Sequence, residues 1–254
     1  MLFPSLSATV MAIAAFTTTI DAWPHVPRAT KGLSNLASKM PKNTLPAPTG
    51  LELKYVLLGL GTQNYTCTSG NDTAEPGTTG AVGKLPPIDL LPALANYPVA
   101  KLYDIGTKLN VDPLAQWKVS AISGLALSLS TFGTWQLDMY LNAEGYNQWL
   151  GNHFFTLTMP TFSLNKVKTT PFPLAFVSKK ADMVAPTTAC QGTKGEGAIK
   201  WLYLSDDANL SQGRVNTVYR LETAGGNKPT QCKGQKDHFE VPYAAQYWVY
   251  GPKA

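Results

Sequence analysis

Three side chains in the middle of the chain have the chemistry of an acid–base site: His153, Asp104 and Arg220. An imidazole exchanges protons near neutral pH, a carboxylate can orient it, and a guanidinium can hold developing negative charge, provided all three reach one substrate. On this pattern they are the candidate catalytic residues of an extracellular hydrolase or lyase. The bland alternative is a strand histidine satisfied by backbone, an aspartate capping its own turn and an arginine paired nearby. The other histidines offer no metal site: His25 lies in a proline-punctuated stretch, and His238 in a polar loop has no histidine or cysteine cluster beside it. No Gly-Xaa-Ser-Xaa-Gly elbow is present. Asp206 and Asp207 sit in a turn, where they cap or solvate rather than flank a sugar groove.

A second kind of chemistry is stacking. Trp201, Tyr219, Tyr243 and Trp248 crowd the C-terminal region, and exposed aromatics on a rigid sheet can hold sugar rings or apolar ligands; buried, they are simply core. A dinucleotide cofactor is not expected. Gly59-Leu60-Gly61 follows an apolar run, but Asn64 stands where the third glycine belongs and no amphipathic helix follows to hold a pyrophosphate.

The elements that must position these residues read mainly as strands. In VPYAAQYWVY, Tyr243, Ala245, Tyr247 and Val249 share one face while Ala244, Gln246, Trp248 and Tyr250 share the other, so both faces should be covered. AIKWLYL and RVNTVYRLET are two more strands, ended by turn-forming Ser, Asp, Asn and Gly. LELKYVLLGLGTQNYTC is the first core strand, and its glycines predict a bulge or a close backbone approach. A short strand is expected at Val99–Tyr103, a short helix near Pro113 capped by Asp112, one kinked strand over GNHFFTLTMPTFSL, and a loop-rich passage from Lys166 to Cys190.

Charged residues make up only 15% of the 254 residues while glycine (21) and proline (19) are plentiful, which suits short strands and turns. The expected fold is all-β, a single β-sandwich or distorted barrel with a small helical insertion. The net charge of +5 is spread over scattered lysines, so no basic stripe points to nucleic acid. Residues 1–22 have the length and apolar core of a signal peptide, residues 23–50 read as a basic linker or pro-segment, and 51–254 as the β domain. No later stretch has the apolar length of a membrane span. In the oxidising compartment this implies, two of three cysteines should pair; Cys67 with Cys232 is favoured, leaving Cys190. Sequons at Asn64, Asn71 and Asn209 fit secretion, with Asn64 in strand-like surroundings.

The set GTQNYTC, LYD, NHFFTLTMPTFSL, AIKWLYL, VNTVYRLETAGG and VPYAAQYWVY resembles the secreted fungal and bacterial family of domain of unknown function 3455, over about Leu51 to Tyr250. The resemblance brings no established activity. Some fungal members carry a malate dehydrogenase label, which nothing in these residues supports. The region from Asp112 to Leu150 looks like an expansion of the family pattern. The resulting expectation is a secreted protein, at the cell wall or beyond, that binds a polysaccharide or cell-surface ligand without catalysis. The alternatives are the hydrolase or lyase above and an effector that binds a host protein.

Overall fold

Two long strands organise the sheet. β1 (Leu51–Thr66) and β10 (His238–Pro252) run antiparallel over almost their whole length, with Leu57 opposite Tyr247 and Gly61 opposite Tyr243. Because strand side chains alternate, Tyr243, Ala245, Tyr247 and Val249 of β10 enter one core, while Ala244, Trp248 and Tyr250 enter another on the opposite face. Both faces are covered, as the alternation requires.

The structure is a computed structural model describing residues 32–68, 71–80 and 99–253; the expected leader and residues 23–31 lie outside them. The remaining strands are β2 (Gly77–Gly80), β3 (Ala100–Asp104), β4 (Trp149–Thr156), β5 (Met159–Ser163), β6 (Leu174–Phe176), β7 (Ser178–Met183), β8 (Trp201–Ser205) and β9 (Thr217–Gly225). Their order is β6-β5-β4-β3-β1-β10-β9-β8-β7, with β2 paired to β1 and every pairing antiparallel. The two ends of that path are consecutive in the chain, separated by Val177 alone, which is buried in the inner core. One bent strand therefore brings the sheet back on itself, giving an all-β barrel.

Three local expectations change here. GNHFFTLTMPTFSL is a hairpin rather than one kinked strand: Leu157 takes a positive φ of 57°, and β5 folds back so that Pro160 faces Phe155. The Lys166–Cys190 passage supplies the closing strands β6 and β7. The glycines of β1 serve close approach. A β-carbon at Gly59 would stand 2.4 Å from the Tyr247 ring and one at Gly61 would stand 1.7 Å from the Val99 carbonyl, whereas the register shifts of this strand lie at Leu53/Tyr55 against β10 and at Asn64/Tyr65 against β2.

Outside the barrel lies a helical layer: α1 (Ser34–Ala37), α2 (Gly106–Leu109), α3 (Ala115–Phe132) and α4 (Thr134–Glu144). The helical insertion expected near Pro113 is present as the pair α3 and α4. Asp112 does mark its start: the carboxylate accepts from the Leu114 N–H at 2.8 Å in a turn just before α3. α3 buries Ala115, Val119, Ile122, Ala126 and Leu127 against the sheet. Buried Gln246 donates to the Val119 carbonyl and accepts from Trp248 Nε1 at 3.2 Å, tying helix to strand.

The segment expected to be a linker belongs, from Gly32 onward, to this layer. Leu33, Leu36 and Leu45 are buried in the outer core, Leu36 N–H donates to Asn110 at 3.0 Å, and Tyr219 Oη donates to the Pro46 carbonyl at 2.6 Å. Its prolines hid three leucines that have a groove to fill. Cys67 and Cys232 form the disulfide, joining the end of β1 to the loop before β10 across a sequence separation of 165.

Candidate functional site

His153 of β4 faces into the barrel, opposite Phe162 on β5 and Ala100 on β3. Its ring stacks on Phe162 with centroids 4.2 Å apart and planes 4° from parallel, and Tyr247 lies 5.6 Å away. Nδ1 sits 3.0 Å from the Thr161 carbonyl, so it carries the proton and donates. Burial drives the imidazole pKa down to about 4; the Thr161 bond opposes this and the Arg220 charge adds to it. The group is thus a neutral core histidine across the physiological range.

Arg220 of β9 stands opposite Tyr247, and its guanidinium donates through Nε and an Nη to the Lys200 carbonyl at 3.1 and 2.9 Å. Tyr247 and Tyr243 are fully buried and share a hydroxyl–hydroxyl bond of 2.9 Å, and burial raises both phenols. The barrel side of the sheet therefore holds three separately bonded polar groups, His153 on Thr161, Arg220 on Lys200 and the Tyr243–Tyr247 pair.

Asp104 is not part of it. Its carboxylate accepts from Thr107 N–H at 3.2 Å and Thr107 Oγ1 at 2.6 Å, holding the start of α2. It lies four residues along β3 from Ala100, the partner of His153, roughly 13 Å at the ordinary strand rise. The fold brings His153 and Arg220 into one interior and leaves Asp104 elsewhere.

The aromatic candidates are likewise internal. Trp201, Tyr219 and Trp248 belong to the core between sheet and helices and Tyr243 to the barrel interior, and none presents a ring face to solvent. Asp206 accepts three turn N–H groups and Asp207 pairs with Lys180. Asn71 and Asn209 are exposed in turns, whereas Asn64 is half-buried within β1 between β10 and β2. Among the described residues no group of three or more His, Cys, Asp or Glu could hold a metal. No helix among them is long and apolar enough to cross a membrane.

Glu222 is a further ionisable group. It lies in a bulge where Glu222 and Thr223 together face Ala245, has a φ of 46°, and burial pushes its carboxyl up to about 7.

The surface offers further features. A cleft of about 540 Å³ opens between the end of α3, the loop around Thr193 and the β1–β10 pair. Its walls carry Thr62, Ser130, Thr131, Thr193, Lys194 and Glu196 over an apolar floor of half-buried Leu60 and exposed Pro242. The solvent side of the helical layer exposes Trp117, Phe132 and Trp135. Neither was visible as a site in the sequence, because the cleft is assembled from four separate segments. The helical face left a trace: no charged residue occurs from Val119 to Leu137.

A nearly closed antiparallel barrel, one disulfide and a helical outer layer define the class: an all-β domain. Residues 47–251 match the family model described as Protein of unknown function (DUF3455), and the chain belongs to that family. Comparison with curated proteins and with solved structures gives no match.

Proposed function

We propose that this is a secreted, non-enzymatic protein that binds a cell-wall or other extracellular polysaccharide, with residues 1–22 as its leader. The carrying observation is the cleft at the end of α3. A saccharide needs many hydroxyl and charged partners above an apolar surface that takes the sugar's carbon face. Threonine and serine hydroxyls, one ammonium and one carboxylate over Leu60 and Pro242 meet that requirement. The enzyme alternative is weakened by the acid–base candidates themselves, since His153 is sealed against Phe162 and Asp104 is engaged by Thr107. A general base must reach the proton it removes.

The test is incubation of the secreted protein with insoluble fungal and plant polysaccharides, following both depletion from solution and release of soluble sugar. Wild type should be depleted without sugar release, and Thr131→Arg, which fills the cleft from an exposed position, should stay in solution. Sugar release by wild type would replace this reading with the hydrolase or lyase. Failure of wild type to bind any polysaccharide would leave the protein-partner alternative.

A further inference from the structure

α3 is apolar on two opposite sides. Ala115, Val119, Ile122, Ala126 and Leu127 face the sheet, and on the far side Trp117, Leu125 and Phe132 are 72%, 45% and 76% exposed. At about 100° per residue, Trp117, Ala121, Leu125, Ser128 and Phe132 fall within roughly 80° of arc, a continuous stripe along the helix. α4 extends the apolar surface with Trp135 and Met139, 67% and 52% exposed. A helix that is apolar all round is ordinarily covered all round. We propose that the outer face of the α3–α4 hairpin is the interface through which two copies of this chain associate as a two-fold dimer.

Area supports this occupant. Aromatic side chains offer about 150–250 Å² each, so Trp117, Phe132 and Trp135 expose on the order of 400 Å² between them. With Val111, Leu114, Leu125 and Met139, also exposed, the surface approaches the ~800 Å² that each partner contributes to a stable interface. It exceeds the ~300–600 Å² of the largest patch on a typical monomer.

Charge supports the same occupant. Lys118, the one cation of α3, is held by Asp112 at 3.0 Å and Glu144 at 2.6 Å, and the one exposed charge of α4 outside that cluster is Asp138. A face carrying no exposed charge but Asp138 lets two basic molecules meet with no like-charge contact along the α3 stripe. An anionic lipid surface would instead call for lysines or arginines beside the aromatics.

The spacing is also self-complementary. Trp117 and Phe132 lie eight and seven residues either side of Leu125, about 22 Å apart end to end along the helix. A two-fold axis near Leu125 pairs antiparallel α3 helices, sets Leu125 against its own copy and brings Trp117 over the partner's Phe132.

Analytical ultracentrifugation of the secreted protein at about 100 μM, enough to populate an interface of micromolar strength, should give twice the chain mass. Trp117→Glu should return it to one chain mass with an unchanged thermal melt. In a Cys190→Ser background, Leu125→Cys should form a covalent dimer on oxidation, because the axis places the two thiols together. A monomeric wild type at that concentration overturns the proposal. So does a dimer that Trp117→Glu leaves intact, or a monomer that binds phosphatidylcholine vesicles through this face. Polysaccharide depletion reads the cleft separately, so either result can fail without the other.

Discussion

The two faces of β10 carry similar numbers of aromatic residues, yet the cores they build are finished differently. Inside the barrel, Tyr247 packs against Phe162 and His153 and shares a hydroxyl bond with Tyr243, and His153 bonds the Thr161 carbonyl. On the outside, Trp248 and Tyr250 meet a helical layer that seals them but is itself apolar toward solvent. Closure ends the demand for cover in the first case, because a barrel interior has no second side. In the second, covering a sheet with an apolar helix moves the demand one layer outward.

The sharpest way to test that contrast is to cut one aromatic from each region. Tyr247→Ala removes the ring from contact with His153 and Phe162 and leaves the Tyr243 hydroxyl without its partner. It should cost about 3–5 kcal/mol in urea unfolding. Trp117→Ala in dilute solution should change stability by no more than about 0.5 kcal/mol. Equal losses would mean that α3 is covered on both sides within one chain.

A smaller effect is expected where the two layers are tied. Gln246→Leu removes the donor to the Val119 carbonyl and leaves buried Trp248 Nε1 unpaired, at a cost of about 1–3 kcal/mol. Hydrogen exchange should show α3 amides losing protection while those of β4 and β5 keep theirs. Uniform loss would mean that the layers unfold as one unit.

The smallest effect is confined to a pH window. Glu222 has a folded pKa of about 7 against an ordinary value of 4.5, so the folded state favours the protonated carboxyl. The stability it allows is fully present below 4.5 and lost as pH rises through 7. Glu222→Gln should therefore raise the melting temperature at pH 8 and leave it unchanged at pH 4. His153 has the opposite sign: with its folded pKa lowered from 6.5 to about 4, stability is intact above 6.5 and lost as pH falls toward 4. Acid destabilisation should thus persist in Glu222→Gln.

Local pattern was enough for much of the fold. The period-two alternation of VPYAAQYWVY and LELKYVLLGL identified the two central strands and the covered status of both faces of β10, because each side chain's direction follows from its neighbour's. The pairing of Cys67 with Cys232 was legible from the chain as well. The hairpin at Leu157 was not, since no glycine or asparagine marks that turn and a leucine takes the positive φ. Nor was the docking of residues 32–50, whose leucines are too sparse and too interrupted by proline to show a period.

Composition and alternation thus determined that this chain is a β protein whose central strands bury both faces. Tertiary structure alone decided the fate of the chemical candidates. Barrel closure through Val177 enclosed His153 and the tyrosines, the turn into α2 engaged Asp104, and residues from four segments met to form the cleft. The physical reason is that a side chain's type and direction are set by its own strand. Whether it meets water, a ring or a charge depends on strands that are distant in sequence and near only once the sheet has closed.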